Sequence, residues 1–189
     1  MRPALPRTAL LLVAVAGCAA PADESATVDT PEMEARIALA PTMAGQMPPA
    51  IIGNGGELEG MAVHYVDGDM ETTGYLALPE GDGPFPALVI IHEWNGLVDR
   101  VRQVADDFAA EGYVTLAADL YSGRTGSTPD ENIALMTEAN ADMPGVVSNL
   151  NAAVAFLRER SDVTGRVGTM GWCFGGGIAL SYGLEGDDH

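Results

Sequence analysis

RVGTMGWCFGGGIAL, residues 166–180, is the stretch on which the fold turns. Arg166 to Met170 reads as a short buried strand, and Gly175 to Leu184 reads as a helix. Between them Cys173 stands with Gly171 two residues before it and Gly175 two residues after. That spacing is the signature of a nucleophile elbow, here with Cys in the place of Ser. The nucleophile occupies a strained backbone conformation, so its neighbours at two removes must be small for the turn to close. A helix that begins directly after Cys173 offers unpaired N–H groups and the positive end of a dipole, both of which favour a thiolate over a thiol. The Phe174 amide is then placed as one donor of an oxyanion hole.

Upstream, the pattern alternates in the same way. FPALVIIHEW, residues 85–94, is a continuous apolar run of the kind buried on both faces of a parallel sheet. Residues 98–111 carry Val101, Val104, Ala105 and Phe108 at helical spacing, and Gly112 supplies the stop. YVTLAADLY, residues 113–121, reads as another buried strand. Ser127 to Glu131 opens a helix with a polar cap and an early proline, and a longer helix covers residues 143–160 with Val147, Leu150, Val154 and Leu157 on one face. Before all of these, MAVHYV and TTGYLALP flank the turn signal Asp67-Gly68, which predicts a β-hairpin with His64 as a structural residue of its first strand. A hairpin followed by strand–helix alternation implies an α/β domain with a mainly parallel sheet.

In such sheets the chemistry lies beyond the carboxyl ends of the strands. Two segments hold that position, GWCFGGG after the Arg166 strand and HEWNG, residues 92–96, after the Phe85 strand. The loop after the earlier strand completes the oxyanion hole, which points to the Trp94 amide as the second donor. Glu93 brings a carboxylate towards the thiol, where it can hold the thiol neutral or accept its proton when substrate arrives.

Composition narrows the rest. With 27 acidic and 9 basic residues the chain carries a formal charge of −18, which argues against nucleic acid and anionic surfaces as ligands. All the basic residues are arginine, so lysine chemistry is excluded. MRPALPRTALLLVAVAGC, residues 1–18, has two arginines, an apolar run too short to span a bilayer and a small-small-Cys ending. It resembles a bacterial lipobox. Residues 1–17 are therefore expected to be a signal peptide, with Cys18 lipidated and the chain exported and anchored to a bacterial membrane on its periplasmic or cell-surface side. Residues 18–57, rich in Pro, Ala and acidic residues, read as a tether with at most a short helix over residues 33–40. Lipidation of Cys18 leaves Cys173 as a lone thiol, which in an exported protein needs a use or a burial.

HEWNG, the DLY of Asp119 to Tyr121, and GWCFGG together resemble the dienelactone hydrolase family of α/β hydrolases, over residues 58–189. The resemblance implies a cysteine nucleophile at Cys173, a glutamate in contact with it at rest at Glu93, and oxyanion amides at Trp94 and Phe174. It implies hydrolysis of lactones and small carboxylic esters through an acyl-enzyme, with no metal and no cofactor. The family also uses an Asp and a His from loops after later strands. Asp119 reads as a structural strand-end residue, and the Asp187-Asp188-His189 ending is too local to replace separate loops. The expectation is an N-terminal portion of a longer domain, an incomplete α/β-hydrolase fold that is poorly folded and inactive when expressed alone. Two other readings stay open: a non-catalytic ligand-binding lipoprotein on the same scaffold, and a glutaminase-like cysteine-elbow enzyme.

Overall fold

The computed structural model describes residues 56–185. The signal sequence, lipobox and most of the tether, with the short helix expected over residues 33–40, lie outside the described residues, as do Asp187, Asp188 and His189. Five strands form one mixed sheet: β1 (Met61–Val63), β2 (Gly74–Ala77), β3 (Phe85–Ile91), β4 (Val114–Ala118) and β5 (Val163–Gly171), in the order β1-β2-β4-β3-β5. The helices described are α1 (Asp99–Ala110), α2 (Pro129–Ala141), α3 (Met143–Arg158) and α4 (Phe174–Glu185). β3 pairs in parallel with β4 and β5, while β1–β2 and β2–β4 are antiparallel.

The apolar runs form the centre of the sheet. β4 is buried at every residue, and Val89, Ile90 and Ile91 of β3 are fully buried. Side chains from β3 and β4 point alternately into two cores. Ile90 and Ala117 join Val101, Ala105 and Ala109 of α1 on one face. Val89, Ile91 and Leu116 meet Leu150, Val154 and Leu157 of α3 and Ile178 of α4 on the other. Each fully buried Leu or Ile contributes about 1.5–3 kcal/mol of burial free energy, so this two-sided core fixes where β3, β4 and β5 end.

The helix boundaries follow their signals. Thr128 caps α2 through a reciprocal capping box with Glu131, and Pro129 opens the helix. Gly112 takes a φ of 93° just past α1, and its N–H donates to Ala109 O at 2.9 Å.

The expected hairpin exists, with differences. Asp67-Gly68 sit inside a turn closed by Asp69 N–H donating to Val66 O at 3.2 Å, yet the connection spans all of residues 64–73. The Asp69 carboxylate accepts from Glu71 N, Thr72 N and Thr72 Oγ1 and stabilises that long loop. β1 therefore stops at Val63, and His64 lies just outside it, exposed, with Nδ1 3.3 Å from Thr72 O. A second correction concerns the strand expected over residues 166–170. β5 runs from Val163 to Gly171, and only Val163 is buried. Among the described residues it pairs with β3 alone, which leaves its other edge open.

Candidate active site

The register of the three parallel strands brings the functional loops together. Ile91 at the end of β3 pairs with Ala118 of β4 on one side and with Gly171 of β5 on the other. His92-Glu93-Trp94, Asp119-Leu120-Tyr121 and Trp172-Cys173 thus leave the sheet side by side at its carboxyl edge.

Cys173 adopts a φ of 55°, one of two non-glycine residues with positive φ among those described, and it is exposed. A side chain in the left-handed region costs about 1–2 kcal/mol, and such strain persists only where the surroundings enforce it. Those surroundings are visible. A Cβ on Gly171 would stand 2.6 Å from the Gly175 carbonyl, and one on Gly175 would run into the Ile91 and His92 carbonyls. The two glycines let strand, turn and helix pack against the end of β3, and the thiol is left standing at the start of α4. Among the described residues neither the Trp94 nor the Phe174 main-chain N–H forms a hydrogen bond, so both donors expected from the sequence are free.

His92 is fully buried and holds two loops together. Its Nε2 accepts from Leu120 N–H at 3.1 Å, which places the proton on Nδ1, 2.7 Å from Glu93 O. Burial pushes its pKa below the ordinary 6.5, and with both ring nitrogens engaged it is a neutral structural residue. Asp119 is structural too: its carboxylate accepts from Tyr121 N at 3.0 Å and from Gly123 N. The Tyr65 hydroxyl accepts from Asp119 N at 3.0 Å and donates to Asn149 Oδ1 at 2.7 Å, so the end of β4 is anchored from the hairpin side as well. Gly96, with a φ of 90°, lets the HEWNG loop touch the next one, since a Cβ there would stand 2.7 Å from Arg124 O. The Gly126 N–H donates to Asn95 O at 3.1 Å across the same contact.

Glu93 is turned towards α1. Its Oε2 is buried and lies 3.6 Å from Arg100 Nε, an ion pair too long for a hydrogen bond. The Arg100 guanidinium in turn sits 5.8 Å above the Trp172 ring, so a carboxylate, a cation and an indole line up beside the elbow. Tyr121 lies on the other side, 1% exposed. Its ring meets His92 edge-on at 4.5 Å between centroids and lies 6.0 Å from the Phe174 ring. Burial pushes the Tyr121 phenol pKa up, and the nearby Cys173 charge adds to the effect. Arg100 and the exact use of Tyr121 escape a reading of the sequence. Tyr121 stands in the DLY motif that is visible there, whereas Arg100, seven positions after Glu93, carries no local signal.

Comparisons with known proteins converge on one family. The profile of the dienelactone hydrolase family matches residues 72–188. The chain is 34% identical over 128 residues to the protein usf of Aquifex pyrophilus, covering 65% of this chain and 54% of that one. It is 29% identical over 135 residues to the carboxymethylenebutenolidase of Pseudomonas putida, covering 68% and 56%. Among solved structures it is similar to a dienelactone hydrolase-like promiscuous phosphotriesterase from metagenomic libraries, with a TM-score of 0.60 and 27% identity over 67% of this chain and 54% of that one. The chain thus spans about half the length of the relatives it matches. With the elbow, the loop order and the matched span in agreement, the chain belongs to the dienelactone hydrolase family.

Proposed function

We propose that this chain carries the nucleophile and the oxyanion-binding amides of a hydrolase acting on small carboxylic esters or lactones, with Cys173 as the nucleophile. The observation that carries the reading is the strained φ of Cys173 between two glycines that cannot bear a side chain. Ionised Cys173 Sγ attacks the acyl carbonyl carbon, and the negative charge that develops on the carbonyl oxygen is met by the N–H groups of Trp94 and Phe174. Collapse breaks the bond to the alkoxide, which takes a proton from water as it leaves, or stays tethered through the acyl group when the substrate is a lactone. The acyl group remains on sulfur as a thioester until water hydrolyses it. The name of the Pseudomonas relative, carboxymethylenebutenolidase, supports an unsaturated lactone as the substrate class.

Attack by an ionised thiol needs no base, but hydrolysis of the thioester needs one to activate water. Neither described histidine suits the part: His92 has both nitrogens engaged, and His64 lies on the exposed hairpin connection at Thr72. The chain is expected to take up about one acyl group at Cys173 from an activated ester such as p-nitrophenyl acetate, with release of the acyl group as the slower step. Intact-mass spectrometry alongside the release of nitrophenol reads both steps. Sustained turnover that survives Cys173→Ala would sink the assignment, and absence of any Cys173 adduct would favour a non-catalytic scaffold. We also assign Cys18 as the lipid-bearing residue of an exported, membrane-anchored protein. Cys18→Ser is expected to move it from the membrane fraction to the soluble one.

A further inference from the structure

The loop after β4 holds a phenol whose polar end has no use within the fold. The Tyr121 hydroxyl oxygen is sealed from solvent and makes no hydrogen bond among the described residues. A buried donor left unpaired costs stability, and native proteins seldom tolerate one without a reason. The neighbouring polar groups show the contrast. Asp119 holds the Tyr121 and Gly123 N–H groups, Arg124 Nε donates to Tyr121 O at 2.9 Å, and the phenol of Tyr65, anchored to the same loop, has partners in Asp119 and Asn149. The backbone of Tyr121 is fully engaged while its hydroxyl is free.

The ring that carries the hydroxyl is held in place. His92 packs on it edge-to-face, and Phe174, which directly follows Cys173, lies against it from the elbow side. Every other ionisable group around this spot is committed elsewhere. His92, from the end of β3, is neutral and doubly bonded; Glu93, on the same loop, faces Arg100 of α1; Asp119, from the end of β4, is spent on backbone N–H groups; and Arg124 pairs with Glu138 of α2. Cys173 at the start of α4 directly precedes Phe174, whose ring centroid lies 6.0 Å from that of Tyr121, and it is the group left to interact with the phenol.

We propose that the Tyr121 hydroxyl donates a hydrogen bond to Cys173 Sγ whenever the sulfur is ionised, and stands unpaired when the sulfur is protonated or acylated. A thiolate is a strong acceptor, whereas thiol and thioester sulfur are weak ones, so the bond stabilises the attacking and the departing thiolate and little else. No proton is transferred: burial keeps the phenol protonated, so it acts as a fixed donor. The unpaired hydroxyl of the resting state is then a preorganised group whose partner appears during the reaction.

The test uses the full chain with Cys18→Ser, so that Cys173 is the sole thiol, and follows its alkylation by iodoacetamide from about pH 5 to about pH 10, spanning the thiol range. Tyr121→Phe is expected to displace the rate profile to higher pH by about one unit, making alkylation on the acid limb about tenfold slower while leaving the alkaline plateau unchanged. A merely structural tyrosine would alter the plateau or nothing. Superimposed profiles, with the fold intact by circular dichroism, overturn the proposal. If Tyr121→Phe does not fold, the unaltered protein decides: alkylation near pH 7 that is no faster in the native chain than in the urea-unfolded chain also overturns it. The inference rests on Cys173 being the nucleophile, and the two fail separately. A Tyr121-dependent alkylation profile without any acyl adduct from esters would remove the hydrolase reading and leave this one standing.

Discussion

At Cys173 the protein holds a side chain in a conformation it would avoid if free. Cys173→Gly, which removes the thiol and the steric cost together, is expected to stabilise the fold by about 1 kcal/mol, the part of the left-handed penalty not offset by greater chain entropy. Urea unfolding monitored by circular dichroism measures it. The opposite holds at Gly175, where an added methyl meets the Ile91 and His92 carbonyls. Gly175→Ala is expected to cost about 1–3 kcal/mol in the same assay, because backbone cannot yield as a flexible side chain can. These steric demands are why the elbow was legible in the sequence: a glycine two places either side of a nucleophile is a local requirement written in residue types. The pairing of Glu93 with Arg100 was not legible, since it depends on how α1 leaves its loop and lies over Trp172. The open hydroxyl of Tyr121 escaped for the same reason. A missing partner is a property of the packed neighbourhood.

Among the elements, α2 starts on a complete capping box, while β5 pairs on one side only among the described residues. Thr128→Ala removes the side chain that accepts from Glu131 N–H, and is expected to lower stability by about 1 kcal/mol. β5 offers a row of unsatisfied main-chain groups along its free edge, a template for another strand. The chain is therefore expected to self-associate with rising concentration in sedimentation velocity, and Thr169→Lys, which sets a charge on that strand, should reduce the association. The elements themselves were readable from apolar runs, helical spacing, Thr128-Pro129 and Gly112. Burial of β5 was not, because an apolar pattern states what a strand could cover and its sheet neighbours decide what it does cover. The hairpin connection was misjudged on similar grounds. Asp67-Gly68 does form a turn, but the Asp69 carboxylate, accepting three hydrogen bonds, supports a loop longer than the turn requires.

For the whole molecule the buried and paired ionisable groups define a pH window. His92 is held neutral below its ordinary 6.5, so the unfolded chain takes up the proton first and stability falls as pH drops below that value. Asp69 and Asp162, with an ordinary value of 3.8, and Glu131 and Glu138, with 4.5, are all held lower by hydrogen bonds, to Thr72, Arg160, Ser127 and Arg124 respectively. Their contribution is present above those values and is lost as pH falls further. On the alkaline side Tyr75, ordinarily 10.0, is pushed up to about 12 by burial and by its bond to Asp106, and Tyr65, Tyr121 and Tyr182 are raised by burial. A raised value means stability that is present below 10.0 and lost as pH rises through the folded values. The melting temperature is thus expected to be level between about pH 7 and about pH 9.5 and to fall on either side, first through His92 on the acid limb. His92→Asn should remove that first acid step, whatever it does to the level itself. A formal charge of −18 adds self-repulsion, so salt should raise the whole curve.

The indole of Trp172 lies under the Arg100 guanidinium one residue before Cys173, and the chain's other tryptophan, Trp94, sits in the loop that faces it. No third indole exists to dilute the signal. The tryptophan emission of the polypeptide therefore originates in the two loops at the carboxyl edge of the sheet that carry Trp94 and Cys173, and a change in charge or occupancy at Cys173 is expected to alter its wavelength and intensity.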